Sequence, residues 1–310
     1  MTAQGSFLDR NYHLVRRLHS LTGIVPIGLF LIVHLTTNSS IVWGAFNGRA
    51  SHATDGVGRG VETFQHEVYF INNLPLLLLT EIFVLWLPIA FHSIFGFYFA
   101  FSGKRNTDRY AYQNNWRYTL QRWTGYVGFL FIFYHIATLR WGWTALVPDG
   151  TKWEHEFASS TLAAAIKGAG AEWTLAGVLV AGLYFLGVTS LVFHFANGLW
   201  TAAITWGVTV SAKAQKQWGY ACAGIGVGLM GAGYAALGGF LVLDYDKARQ
   251  VEQQMFIEKF GEDELRDHLE GKADVDPEVA QAVNGLLEHD SPADETEDAV
   301  PAASEPGDAG

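Results

Sequence analysis

The sequence predicts an all-α protein, an integral membrane bundle of five transmembrane helices with an acidic, largely disordered C-terminal tail. Three observations predict it. Hydrophobic residues make up 50% of the 310 and charged ones only 16%, against about a quarter charged in an ordinary soluble domain. Five apolar stretches are long enough to cross roughly 30 Å of hydrocarbon at about 1.5 Å per residue. The charge is also segregated. Residues 244–310 hold 20 acidic and five basic side chains, so of the net −10 the tail carries −15 and the remainder +5.

The five stretches are 21–43, 74–101, 123–143, 173–206 and 219–243. In lipid every backbone polar group needs an internal partner, so these runs are helices, and neighbouring helices can re-satisfy the carbonyls freed by Pro26 and Pro88. Residues 1–243 form the membrane domain and 244–310 an acidic extension that solubilises and carries no catalytic pattern. Ten basic residues fall on one side of the spans: Arg10, Arg16, Arg17, Lys104, Arg105, Arg109, Arg117, Arg122, Lys213 and Lys216. Five fall on the other: Arg49, Arg59, Arg140, Lys152 and Lys167. The positive-inside rule then puts the N-terminus in the cytoplasm and the tail outside.

A single cysteine, Cys222, excludes a disulfide framework, a thiolate cluster and covalently attached haem within the chain. The N-terminal segment has no short apolar core followed by a small-residue cleavage site, so no removable signal peptide is expected.

Four of the 11 histidines fall deep in four consecutive spans: His34, His92, His135 and His194. Ionisable residues at this depth are costly and point to function, although one alone could simply bond a neighbouring helix. Their depths sort them. His34 lies 9 residues before Trp43 and His135 lies 8 before Trp143, which places each about 13 Å below the outer surface. His92 and His194 lie about 27–31 Å from that surface, so the four form two levels roughly 16 Å apart. Two imidazoles facing each other at one level suit a six-coordinate haem iron, with His34 and His135 around an outer haem and His92 and His194 around an inner one. Such ligation leaves no open iron position and favours electron transfer.

Gly96, Gly198 and Gly128 lie on the faces of His92, His194 and His135, where they can either clear a porphyrin or serve helix packing. The first span has no glycine so placed. Haem propionates need donors. Arg16, Arg17, His19, Ser20, Gln121 and Arg122 cluster at the inner ends of the first and third spans, where the positive-inside rule alone also explains the arginines.

Four strings carry a family resemblance: RRLHSLTGIVPIGLFLIVHL, EIF with LPIAFHSIFGFYFAF, NWRYTLQRWTG with FIFYHIATLR, and FHFANGLWTAAITWGVTV. Together they cover most of residues 14–210 and contain the four histidines in order. With them the chain resembles the di-haem cytochrome b anchors of succinate:quinone oxidoreductases, of the Bacillus cytochrome b558 type. The resemblance implies axial ligation of two b haems by His34, His92, His135 and His194. It also implies a flavoprotein subunit and an iron–sulfur subunit as partners, menaquinone as electron acceptor, and a bacterial cytoplasmic membrane. No nucleic-acid role is expected.

Menaquinone reduction takes up protons, so its site wants a titratable group near a haem edge. Glu62, His66 and Glu67 precede the second span on the outer side, and Glu81 lies within it. For the first three an exposed polar loop is the competing reading, and for Glu81 a structural bond to a neighbouring helix. Some menaquinol-dependent fumarate reductases of the family carry a glutamate two residues before the fourth haem histidine. Here that position is Val192, which favours succinate oxidation over fumarate reduction. The alternatives are the same subunit in a fumarate reductase, the cytochrome b of another membrane dehydrogenase, and a haem-free transporter with relay histidines.

Overall fold

The computed structural model describes residues 7–47, 53, 55–103 and 115–273. Of the residues discussed above, Arg49, Lys104, Arg105, Arg109 and the tail segment 274–310 lie outside these. Among the described residues all regular structure is helical.

The first span is built from α1 (Phe7–Ile24) and α2 (Pro26–Asn38). Pro26 sits in the first turn of α2, where its missing N–H costs little. The chain continues through the joint because Val25 N donates to Leu21 O at 2.9 Å. This helix starts and ends earlier than its apolar run suggests, and Trp43 belongs to a separate helix, α3 (Ser40–Asn47). α3 folds against α4 (Gly56–Asn72), and Gly60 makes that approach possible: a Cβ there would stand 2.2 Å from the Ile41 carbonyl oxygen. Asp55 caps α4 by accepting from Gly58 N at 2.7 Å.

The second span, Leu77–Ser102, comprises α5 (Leu77–Thr80), a π-helical stretch from Glu81 to Trp86, and α6 (Leu87–Ser102). The wide turns directly precede Pro88, which cannot donate to the ladder. α7 (Asn115–His135) also ends in a π-helical stretch, Ile136–Arg140. It begins eight residues before its apolar run, drawing Arg117 and Arg122 into its first turns. α8 (Ala158–Lys167) precedes α9 (Leu175–Thr205) and α10 (Ala212–Leu241). Four segments are long and apolar enough to cross a membrane: Arg10–Asn38, Leu77–Ser102, Leu175–Thr205 and Ala212–Leu241. α7, whose 21 residues include Asn115, Arg117, Gln121 and Arg122, is less apolar over its length and packs along α9, completing the bundle of five. Large apolar side chains such as Leu29, Leu130, Leu175 and Leu179 face outward, a surface that suits lipid.

One end of the bundle is capped. Val61, Phe64 and Val68 of α4, Leu162 and Ile166 of α8 and Phe240 of α10 form a buried core with Val251 and Met255 of α11 (Tyr245–Phe260). The start of the acidic extension is therefore packed structure rather than a solvated tail. The chain divides into two compact units, Met1–Met255 and Phe256–Gly310. In the second, Phe256 packs on His268 of α12 (Glu262–Ala273) with ring centres 5.5 Å apart.

Glu252 is the polar centre of the cap. It is fully buried and accepts from Ser159 N (2.6 Å), Ser160 N (3.2 Å) and Ser160 Oγ (2.5 Å) at the start of α8. The two backbone N–H groups are donors that the first turn of a helix leaves unpaired. Burial pushes the Glu252 carboxyl up to about 7, only partly offset by the Ser160 hydroxyl and the neighbouring Arg249. A raised folded-state value means that its contribution to stability is complete below the ordinary carboxyl value of 4.5 and declines as pH rises through about 7. The melting temperature of the detergent-solubilised chain should therefore fall between pH 5 and pH 8. Glu252→Gln should flatten this dependence, and Glu252→Ala should lower stability at both pH values by about 1–3 kcal/mol.

Candidate functional site

The four span histidines fall in two facing pairs. At the inner level, His92 of α6 faces His194 of α9, with ring centres 6.1 Å apart and planes at 84°. Each is held from behind by the backbone of a different helix. His92 Nδ1 lies 2.9 Å from the His19 carbonyl oxygen on α1, and His194 Nδ1 lies 3.0 Å from the Gln121 carbonyl oxygen on α7. A carbonyl only accepts, so each Nδ1 carries the proton and donates it. Each Nε2 therefore keeps its lone pair for a metal.

Glycines make these contacts possible. A Cβ on Gly23 would stand 2.4 Å from His92 Cε1, and one on Gly125 would stand 3.0 Å from His194 Cε1. Each glycine lies four residues after the accepting carbonyl, one turn along the same face. The threonines just before them, Thr22 and Thr124, donate to the carbonyls of Leu18 and Leu120 at 3.0 and 2.7 Å.

The outer pair is His34 of α2 and His135 at the end of α7, with ring centres 5.7 Å apart and planes at 85°. Its support from another helix is a side chain: His135 Nδ1 lies 3.3 Å from the Tyr184 hydroxyl. On His34's own helix Asn38 Nδ2 donates to the His34 carbonyl at 2.8 Å and stands 3.5 Å from His34 Nε2, a contact that metal binding through Nε2 would replace. His34 and His135 stand four and five residues from the ends of their helical segments, nearer the cap than the apolar runs suggested.

Among the described residues no three His, Cys, Asp or Glu side chains gather as a metal site. Two opposed imidazoles suit a metal that brings its own equatorial donors, as porphyrin iron does. A metal–imidazole nitrogen bond is about 2 Å, so two rings gripping one ion from opposite sides have centres roughly 6 Å apart. Both pairs fit that spacing.

The propionate candidates separate. His19 stacks on His92 with ring centres 4.1 Å apart, and its Nδ1 is buried with no hydrogen-bond partner among the described residues, so it can serve a further polar group at this level. Gln121 is already engaged: its Nε2 donates to the His194 carbonyl at 3.1 Å and its Oε1 accepts from Asn197 at 2.7 Å. Arg16 donates to the Tyr12 hydroxyl at 3.3 Å, while Arg17 and Arg122 lie over the rings of Trp206 and Tyr118. Ser20 is half-buried on α1.

Glu62, His66 and Glu67 lie on α4 rather than in a loop. Glu62 is fully buried, Glu67 half-buried and His66 exposed, with His66 Nε2 3.9 Å from Glu62 Oε1. Glu81 stands one turn into its helix and pairs with Arg140 through two contacts of 2.8 and 3.2 Å. Both partners belong to the π-helical stretches. Val192 is buried in an apolar cluster with Leu35 and Leu229.

The glycines singled out from the sequence face other groups: Gly96 meets His19, Gly198 meets Gln121 and Gly128 meets Leu191. Gly23 and Gly125 escaped notice because they lie on the helices opposite the histidines. A repeat could have found them. Leu-x-x-x-Thr-Gly occurs at 18–23 and 120–125, and Phe-His-x-x-x-Gly at 91–96 and 193–198, all offset by the same number of residues. Two helix pairs thus carry the inner level in duplicate.

No family model matches the chain. It is similar to the succinate dehydrogenase cytochrome b558 subunit of Bacillus subtilis (strain 168), at 34% identity over 226 residues, covering 73% of this chain and 96% of the relative.

The unequal clearances give an ordered expectation. Gly23→Ala forces a shift of His92 and should cost about 1–3 kcal/mol. At Gly125 the clearance is 0.6 Å larger, and the gain of up to about 1 kcal/mol in helix propensity offsets part of the cost of displacing His194, so Gly125→Ala should be the milder of the two. Thermal unfolding of the two variants in one detergent checks the order.

Proposed function

The chain belongs to the succinate dehydrogenase cytochrome b558 subunit family, and from that premise we propose that it is the di-haem membrane anchor of a succinate:menaquinone oxidoreductase. The facing of His34 with His135 and of His92 with His194 carries this reading. Each couple holds one haem b. When bound, the haems supply one-electron carriers between an iron–sulfur partner subunit and menaquinone.

The chain's own residues orient and insulate. The carbonyls of His19 and Gln121 fix the inner imidazoles in the tautomer that offers Nε2, and the Tyr184 hydroxyl supports His135. His19, with its buried Nδ1, is the first candidate for an inner propionate, and Arg16, Arg17, Ser20, Gln121 and Arg122 are the others. Succinate oxidation belongs to a flavoprotein partner in this reading, and the iron–sulfur relay to a second partner, since a single cysteine cannot hold such clusters here. The excess of basic residues beside the N-terminal end supports a cytoplasmic position for that end in a bacterial membrane, the face on which the soluble partners would dock.

Menaquinone is reduced near the outer pair, with protons reaching it through Glu62, His66, Glu67 or Glu81. The Arg140 guanidinium holds Glu81 in position beside the last turns of α7, just after His135.

Replacing each histidine singly and measuring haem per chain tests the reading. His92 and His194 variants should lose one and the same haem, and His34 and His135 variants the other. A haem lost in common by His34 and His92 variants would contradict it. Glu81→Gln and Glu62→Gln should slow quinone reduction by roughly 100-fold or more with both haems retained. Unchanged turnover in both would remove them from the site.

A further inference from the structure

Away from the histidines, a groove of about 640 Å³ lies between the start of α7, the second half of α9 and the first half of α10. Its volume is in the range of small-molecule sites, about 300–1,000 Å³. Its polarity is sorted along its length. Arg117 and Lys216 line one end, near the starts of α7 and α10, while Val227 and Met230 line the other. From Lys216 to Met230 the groove follows α10 for about 21 Å, somewhat more than the roughly 15 Å of one leaflet's hydrocarbon. Small residues form its floor, where Gly226 passes Ala196 with only 3.1 Å for a Cβ.

The polar end is built. Arg117 Nε donates to Asn197 Oδ1 at 2.9 Å, and its guanidinium lies 4.0 Å over the Trp200 ring. Trp200 Nε1 in turn donates to the Gln215 carbonyl at 3.0 Å. The described residues thus fix the direction of the guanidinium through Nε and leave its terminal nitrogens to a ligand. Among the described residues no carboxylate lines the groove, so Arg117 and Lys216 have no acidic counterpart among them there.

We propose that this groove binds one anionic phospholipid from the leaflet on the N-terminal side, with its phosphate between Arg117 and Lys216 and one acyl chain along the furrow between α9 and α10. The site is asymmetric in the way an amphiphile is: charged and aromatic at the interface, apolar and narrow at depth.

The full chain, depleted of lipid in a neutral detergent, can be titrated with phosphatidylglycerol or phosphatidylcholine and followed by native mass spectrometry. One phosphatidylglycerol per chain should bind at least several-fold more tightly than phosphatidylcholine. Lys216→Gln, at an exposed position, should weaken phosphatidylglycerol by about five-fold and leave phosphatidylcholine unchanged. Val227→Trp, at a position 74% exposed, should weaken both by filling the furrow without disturbing the core. Equal retention of the two lipids, insensitivity to both substitutions, or full displacement by millimolar inorganic phosphate would each overturn the proposal.

Discussion

The inner site depends on one close approach: an imidazole of one helix lying against the backbone of the next where that helix has no Cβ. His92 reaches the His19 carbonyl over Gly23, and His194 reaches the Gln121 carbonyl over Gly125. In an apolar interior a polar ring nitrogen without a partner is expensive. The contact satisfies one nitrogen and aims the other at the bundle axis. Each helix pair is thereby drawn together at the level where its histidine works, and the backbone contact fixes both tautomer and direction.

The same arrangement occurs twice because the sequence carries it twice. Leu18 to Gly23 and Leu120 to Gly125 present the accepting carbonyl, while Phe91 to Gly96 and Phe193 to Gly198 present the histidine. The outer level is less regular. Its offset differs by one residue, and its support from another helix is the Tyr184 hydroxyl. Both outer histidines stand near the cap, where α4, α8 and the beginning of α11 close over the bundle around Glu252. The inner level is thus held by backbone, the outer one by a side chain.

The helical class and the choice of helices were legible because apolar runs of that length have no other use in this chain. The two levels followed from rise per residue alone. Helix ends were less legible. Arg117, Arg122, Lys213 and Lys216 read as loop charges, yet they occupy the first turns of α7 and α10, where long side chains reach the interface from inside a helix. Trp43 read as the end of the first span but belongs to α3. The role of Glu252 was hidden because its partners, Ser159 and Ser160, are remote in sequence and the segment around it is simply charged. Gly23 and Gly125 were hidden for a related reason: a glycine that accommodates a ring belongs to the opposing helix, and helical periodicity does not say which helices oppose.

The near-perpendicular imidazole planes, 85° at the outer pair and 84° at the inner, leave a signature that does not depend on turnover. Electron paramagnetic resonance of the oxidised, purified protein measures it directly. The account predicts two distinct, strongly anisotropic low-spin ferric signals of equal intensity, one from each couple. A high-spin ferric signal, or a single low-spin species accounting for all the haem, would contradict it.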